Sequence, residues 1–330
     1  MKTAAISLPL LLLLSGCGGV QSALDAHGHT AILLKSLIVF VVATCFAVWI
    51  IVMLVLIWSL MRRRDGQAAD DRSLHRRMTI AVSGAVAATA LIISGLTIVS
   101  FYTTRALDAA RNPDVTIRVR AQQWWWQFIY EDADPAQSFH TANEIHIPVG
   151  KAVRVRLESS DVIHSFWVPS LAGKQDLIPG RENVLTLRAE RPGVYRGQCA
   201  EFCGLQHSHM ALFVIAEDEE SYRQWASAQR KEGLQPREPE IVAGKAVFMA
   251  RQCAACHTIR GTEASGTTGP DLTHIGSRHT IAAGLLENTR GSLAAWIADP
   301  QTLKPGNNMP MVPLSADELR QISAYMDSLK

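Results

Sequence analysis

The sequence predicts a multidomain membrane protein: a two-helix transmembrane hairpin, then an all-β domain, then a small all-α domain. Three observations predict it. Ser36 to Leu60 and Met78 to Thr104 are stretches of 25 and 27 residues without a charge, and about twenty apolar residues suffice to cross the hydrocarbon core as a helix. From Asp114 to Glu217 the pattern changes to short alternating runs such as "VTIRVRA", "AVRVRLE", "NVLTLRAE" and "ALFVIAE", bounded by turn residues. That period of two predicts an all-β sandwich or barrel of about a hundred residues. From about Glu240 the spacing turns helical again, opening with "IVAGKAVFMARQCAACH" and closing with "SADELRQISAYMDSLK".

The front of the chain reads as a targeting segment. "MKTAAISLPLLLLLSGC" has one basic residue, a short apolar run and small residues before Cys17. It is too short to span a membrane and resembles a lipoprotein signal over residues 1–16, with Cys17 as the acylated residue. Residues 17–35 then form an extracytoplasmic segment, and 36–61 and 78–104 the two membrane helices. The loop 62–77, "RRRDGQAADDRSLHRR", holds Arg62, Arg63, Arg64, Arg72, Arg76 and Arg77. By the positive-inside rule it stays cytoplasmic, so everything after Thr104 faces outward. A net charge of +2 over 330 residues implies neither nucleic acid nor a strongly anionic surface as partner.

Residues 113–218 make up the β domain. The stretch 219–240, including "SYRQWASAQRKEGLQPREPE", reads as a short helix running into a linker, and 241–330 as the helical domain. Its final helix opens on a Ser-x-x-Glu capping box, Ser315 and Glu318. The glycine- and threonine-rich stretch between its first and last helices reads mostly as loop.

Six cysteines divide among these parts. Cys17 is the lipid candidate and Cys45 lies in the first membrane stretch. Cys199, Cys203, His207 and Met210, in "GQCAEFCGLQHSHM", are spaced four, four and three between two strand-like runs. They therefore read as a ligand-bearing loop. His164 in "DVIHSFWVPS" offers a second imidazole. Two thiolates, two imidazoles and a thioether favour copper over a structural zinc site, which seldom recruits methionine, although two cysteines and two histidines alone would close a zinc tetrahedron. With two thiolates, each sulfur can bridge two coppers.

These residues carry a resemblance. "CAEFCGLQHSHM", with "HSFWVPSL" and "IPGR" upstream, resembles the binuclear copper centre of cytochrome c oxidase subunit II, over roughly residues 30–220. The resemblance implies a cupredoxin-like Greek-key fold for the β domain. It also implies that Cys199 and Cys203 bridge the coppers, that His164 and His207 each cap one, and that Met210 and the Glu201 carbonyl complete the pair. The side chain of Glu201 would serve a non-redox magnesium ion at the contact with subunit I; a solvated loop acid is the plain alternative. In "QWWWQFIY" most aromatics read as sandwich core. In the family, a tryptophan at the place of Trp124 lies at the surface above the copper, where electrons enter.

Cys253-Ala-Ala-Cys256-His257 is the attachment pattern of a c-type haem, the cysteines forming thioethers and His257 ligating iron. "KPGNNMPMVP" offers Met309 and Met311 as the sixth ligand. Met309 is preferred because its Met-Pro step resembles small bacterial class I cytochromes c. "TGPDL" resembles the loop whose proline carbonyl orients the proximal histidine.

The whole chain thus resembles subunit II of a caa-type oxidase, with haem c fused after the copper domain. Implied partners are the haem-copper subunit I, subunit III, a cytochrome c donor and the bacterial inner membrane. Nitric oxide reductase with a similar copper-bearing subunit shares this layout. A nitrous oxide reductase copper domain would lack the hairpin, and a copper delivery protein would need neither the thioether nor the haem domain. One family feature is missing: Met78 to Thr104 contains no acidic residue, so a glutamate at a proton path near the start of the second helix is absent.

Overall fold

The computed structural model describes residues 19–62, 71–107 and 113–330. The expected signal segment with Cys17, and residues 63–70 of the arginine-rich loop, lie outside the described residues. The chain divides into two compact units, the boundaries falling at Ala31 and near residue 108.

One unit is built from two helices. Helix α1, His29–Met61, and helix α2, Asp71–Ala106, are long and apolar enough to cross a membrane. Both extend beyond the charge-free stretches of the sequence. Large apolar side chains along them, such as Phe46, Trp49, Ile51, Ile80 and Leu91, are exposed, as expected of helices solvated by lipid rather than by a protein core. Their hydroxyls stay internal: Thr44, Thr89, Thr97 and Thr103 each donate to the carbonyl four residues earlier at 2.8–2.9 Å. A threonine can therefore sit in an apolar helix without an unsatisfied hydroxyl.

In the other unit, residues 113–217 form a sandwich of two five-stranded sheets. The first has the order β3-β2-β1-β5-β8: β1 Val115–Gln122, β2 Trp125–Tyr130, β3 Phe139–Ala142, β5 Val153–Ser159 and β8 Asn183–Leu187. The second has the order β4-β10-β9-β6-β7: β4 Glu144–Pro148, β6 His164–Trp167, β7 Gln175–Leu177, β9 Gly193–Cys199 and β10 Ala211–Glu217. The pairs β1/β5 and β4/β10 are parallel, so the chain crosses between sheets rather than meandering. Alternation explains the faces. Ile117, Val119 and Ala121 of β1, and Val153, Val155 and Leu157 of β5, are fully buried. Arg118 between them points outward and pairs with Glu131.

Helix α3, Glu219–Gln229, closes the sandwich. The Asp218 carboxylate caps it by accepting from the Glu220 and Ser221 amides, and Trp225 stacks on His146 with ring centroids 4.0 Å apart. Within the stretch read as a short helix and linker, residues 219–229 are thus this docked helix, leaving residues 230–238 between α3 and α4.

The last domain comprises helices α4 Pro239–Ala250, α5 Arg290–Ala298, α6 Pro300–Leu303 and α7 Ala316–Ser328, with a hairpin of β11 Thr280–Ile281 and β12 Leu286–Glu287. The stretch expected to be mostly loop contains this hairpin and two helices. Thr289 starts α5 by accepting from the Ser292 amide, and Leu293, Trp296 and Ile297 supply its apolar face. The capping box at Ser315 and Glu318 is formed in both directions. Phe248, Leu293, Ile322, Tyr325 and Met326 form the core. Helices α4 and α7 cross at Gly244, where a Cβ would lie 2.1 Å from the Gln321 carbonyl oxygen; only glycine permits that approach.

Candidate metal centre and haem pocket

Strand β9 ends at Cys199, whose amide donates to the Met210 carbonyl at 2.9 Å and so pins both ends of the loop between β9 and β10. The loop carries Cys203, a 3₁₀ turn over His207–His209, and Met210 at its exit. His164 is the first residue of β6, and it is fully buried. The next residues of β6 fix it from the side, because the Ser165 carbonyl accepts from the Ala200 amide at 2.9 Å.

These elements gather six donor groups. The Sγ atoms of Cys199 and Cys203 are 3.7 Å apart. His164 Nδ1 lies 3.8 Å from Cys199 Sγ, and His207 Nδ1 lies 3.7 Å from Cys203 Sγ. Met210 Sδ is 3.9 Å from Cys203 Sγ, and the Glu201 carbonyl oxygen is 3.2 Å from Cys199 Sγ. Metal bonds of about 2.3 Å to thiolate and about 2.0 Å to imidazole close triangles on edges of this length. The sulfur separation is far beyond a disulfide of about 2.05 Å, and both cysteines are free. The donor set therefore fits a thiolate-bridged copper pair, with one imidazole and one weak ligand at each end.

Electrostatics agree with that fit. The hydrogen bond between the two sulfurs lowers the Cys199 thiol and raises that of Cys203. One negative charge is held readily and the second only against its neighbour, which is the condition a bound cation relieves. Burial pushes His164 down, but its contacts with Cys199 and the Asp161 carboxylate override this and raise it. Asp161 Oδ1 is 2.8 Å from His164 Nε2, leaving Nδ1 to face the sulfurs. This carboxylate orients a ligand imidazole and escaped the sequence reading; its signal is an acid three residues before the histidine.

The second site opens on a 3₁₀ turn, Cys253–Ala255, that presents Cys256 and His257. The Pro270 carbonyl accepts from His257 Nδ1 at 2.8 Å, which leaves Nε2 for iron. Burial lowers the pKa of His257, so the ring is neutral and its lone pair available. Gly269 lies flat against it, where a Cβ would be 2.6 Å from Cε1. A pocket faces this histidine, lined by Cys256, His257 and Met309 on one side and by Trp124 and Trp125 of the sandwich on the other. Cys253 is half-buried against the haem domain's core, whereas Met311 is 59% exposed and does not line the pocket. The Met309 loop is held by its own amide donating to Asn307 Oδ1 and by Gln301 Nε2 donating to the Met309 carbonyl.

One residue departs from expectation. Trp124 is 7% exposed rather than at the surface, because the helical domain covers it. The Glu201 side chain points to solvent, 3.8 Å from Lys174 Nζ, while its backbone faces Cys199.

Comparison with known proteins agrees with both sites. Residues 133–217 match the family described as cytochrome c oxidase subunit II, periplasmic domain, and residues 241–330 match cytochrome c. The chain is 35% identical to cytochrome c oxidase subunit 2 of Alkalihalophilus pseudofirmus over 344 positions, covering 100% of this chain and 98% of that one. It is 28% identical to the Bacillus subtilis counterpart over 97% of this chain and 95% of that one. Among solved structures, the periplasmic domain of subunit II of cytochrome oxidase of Bradyrhizobium japonicum is 29% identical, covering 36% of this chain and 95% of that one, with a TM-score of 0.34. A sandwich with a CuA-type ligand cluster, a haem domain after it and full-length likeness to these relatives place the chain in the cytochrome c oxidase subunit 2 family, as the electron-transfer subunit of a haem-copper oxidase.

Proposed function

We propose that Trp124 is the residue through which electrons leave the haem pocket for the copper loop. The carrying observation is its double contact. Its ring lines the pocket that His257 and Met309 face, and its Nε1–H donates to the Cys203 carbonyl at 2.9 Å. Gln123 Nε2 donates to the same oxygen at 2.8 Å, so the contact is braced from two sides. When bound, the haem and the copper pair supply the one-electron chemistry. The chain's part is to hold their ligands rigid, so that little rearranges on transfer.

In this reading Cys199 and Cys203 bridge the metals, His164 and His207 cap them, and Met210 and the Glu201 carbonyl are the weak ligands. Cys253 and Cys256 attach the haem, and His257 and Met309 ligate its iron. The short contacts around the two sulfurs, and the shared pocket of His257 and Met309, support these assignments. The exposed Glu201 carboxylate is available to a magnesium ion at the contact with subunit I. The arginine-rich loop supports an orientation with the sandwich and haem domain outside the bacterial inner membrane. The external donor is a cytochrome c, and subunit III completes the complex.

Trp124→Phe in the assembled oxidase tests the route. Haem and copper content should be unchanged, and reduction of the fused haem by the donor should keep its rate. Electron equilibration from haem to copper after rapid photoreduction should slow. Equilibration at the unaltered rate would remove Trp124 from the path.

A further inference from the structure

We propose that Lys304 is a positioning residue that seats the haem domain on the copper domain in register with Trp124. The proposal rests on the electron route above and adds what holds that route together. Lys304 follows α6 and is 2% exposed. Its Nζ donates to the Trp124 carbonyl at 2.8 Å, the His209 carbonyl at 2.7 Å and the Ala282 carbonyl at 3.1 Å. An ammonium group has three N–H donors, and all three are used. The first two acceptors belong to the copper domain, one in the turn before β2 and one in the copper loop. The third belongs to the haem domain's own hairpin turn.

This is an unusual place for a lysine. Long cationic side chains generally lie along a surface with the head in water. Burying an ammonium is costly unless its donors are met, and no carboxylate pairs with it among the described residues. Burial pushes it down to about 7, with attraction to Cys203 pulling the other way. An amine buried in such a position, with three backbone acceptors converging on it, fixes relative position rather than adding simple adhesion.

The surroundings show what is positioned. Two segments of the haem domain touch the copper domain around Lys304. In one, the Pro305 carbonyl accepts from Gln206 Nε2 at 2.8 Å, and Gly306 lies against Leu205 and the Trp124 ring. In the other, the Ala283 carbonyl accepts from the Ala211 amide at 3.0 Å, at the start of β10. Lys304 belongs to the first segment and bonds Ala282 of the second. One side chain thus ties both docking segments to each other and to the two loops that flank the copper ligands. Removing it leaves three inward carbonyls without a donor, a penalty that falls on the docked arrangement.

The experiment compares wild-type oxidase with Lys304→Met and Lys304→Gln in the full complex. Haem and copper spectra should be unchanged, as should reduction of the fused haem by the external donor. Hydrogen exchange at residues 123–126 and 206–211 should accelerate by about tenfold in Lys304→Met, because the docked state opens more often. Haem-to-copper equilibration should slow in parallel, with Lys304→Gln, which keeps two N–H donors, intermediate. Exchange and transfer both at wild-type rates would overturn the proposal. Faster exchange with unaltered transfer would overturn the positioning role. Should Lys304→Met not assemble, Lys304→Gln decides by the same two readouts. Failure of the Trp124 route alone is distinguished by Trp124→Phe transferring at the wild-type rate while both lysine variants show faster exchange and slower transfer.

Discussion

The sulfur atoms of Cys199 and Cys203 stand 3.7 Å apart, one at the end of β9 and the other in the loop that follows. The two thiolates are thus carried by different elements, yet both are within 4 Å of an imidazole. Replacing either by serine removes a bridging ligand without disturbing the sheets. Cys203→Ser should still fold, shown by unaltered circular dichroism. It should lose the electron paramagnetic resonance signature of one electron shared over two coppers, and copper content should drop by about half or more. A retained shared-electron signal would mean that the sulfurs do not bridge.

The two candidate haem methionines differ in environment, Met309 lining the pocket and Met311 lying outside it. Met309→Ala should abolish the sulfur-to-iron absorption band of the oxidised haem and lower its reduction potential by on the order of 100 mV or more, since the thioether raises it. Met311→Ala should leave band and potential in place. Redox titration of the intact complex reads both.

Gly269 gives a sharper test of the proximal side. A methyl group there would sit 2.6 Å from His257 Cε1 and 2.8 Å from Nδ1, where the imidazole cannot yield without losing its bond to Pro270. Gly269→Ala should destabilise the haem domain by about 2–3 kcal/mol and shift the haem spectrum. Denaturant unfolding followed at the haem band checks it, and an unshifted spectrum at wild-type stability would contradict the packing.

The pH dependence should come from the cluster at the junction of the two extramembrane domains. His146 Nδ1 is 2.6 Å from Glu217 Oε1, and Glu144 Oε2 accepts from the His279 amide at 3.0 Å. Burial lowers His146, but its hydrogen bonds to Glu144 and Glu217 override this and raise it above 6.5. Burial likewise raises Glu144, but hydrogen bonds from His146 and His279 override it and hold the carboxyl below 4.5. The histidine's contribution is therefore full below pH 6.5 and lost as pH rises through its elevated value. That of Glu144 is full above pH 4.5 and lost as pH falls through its depressed value. Stability should peak between those limits, and His146→Gln should flatten the alkaline limb and cost about 2 kcal/mol near pH 5.5. Thermal unfolding across pH measures both.

Much of this site was legible in the chain because its ligands are close in sequence. Cys199, Cys203, His207 and Met210 fall within twelve residues, and Cys253, Cys256 and His257 within five. The capping box of α7 and the alternation in β1 and β5 are equally local. What escaped depends on residues brought together from afar. Lys304 meets the Trp124 carbonyl across 180 positions and Glu144 meets His279 across 135; no local period encodes either. Trp124 was expected at the surface for the same reason, since its cover comes from another domain. Helix α5 was missed because glycine and threonine around it mask a short apolar face.

The crossing at Gly244 has a wider consequence. Because the opening and closing helices of the haem domain grip one another, that domain completes its own core without borrowing a strand or helix from the sandwich. It is a cassette. Residues 230–238 lead into it, so a different electron carrier grafted at that point would keep its own core but would have to replace the donors that Lys304 gives to the Trp124 and His209 carbonyls.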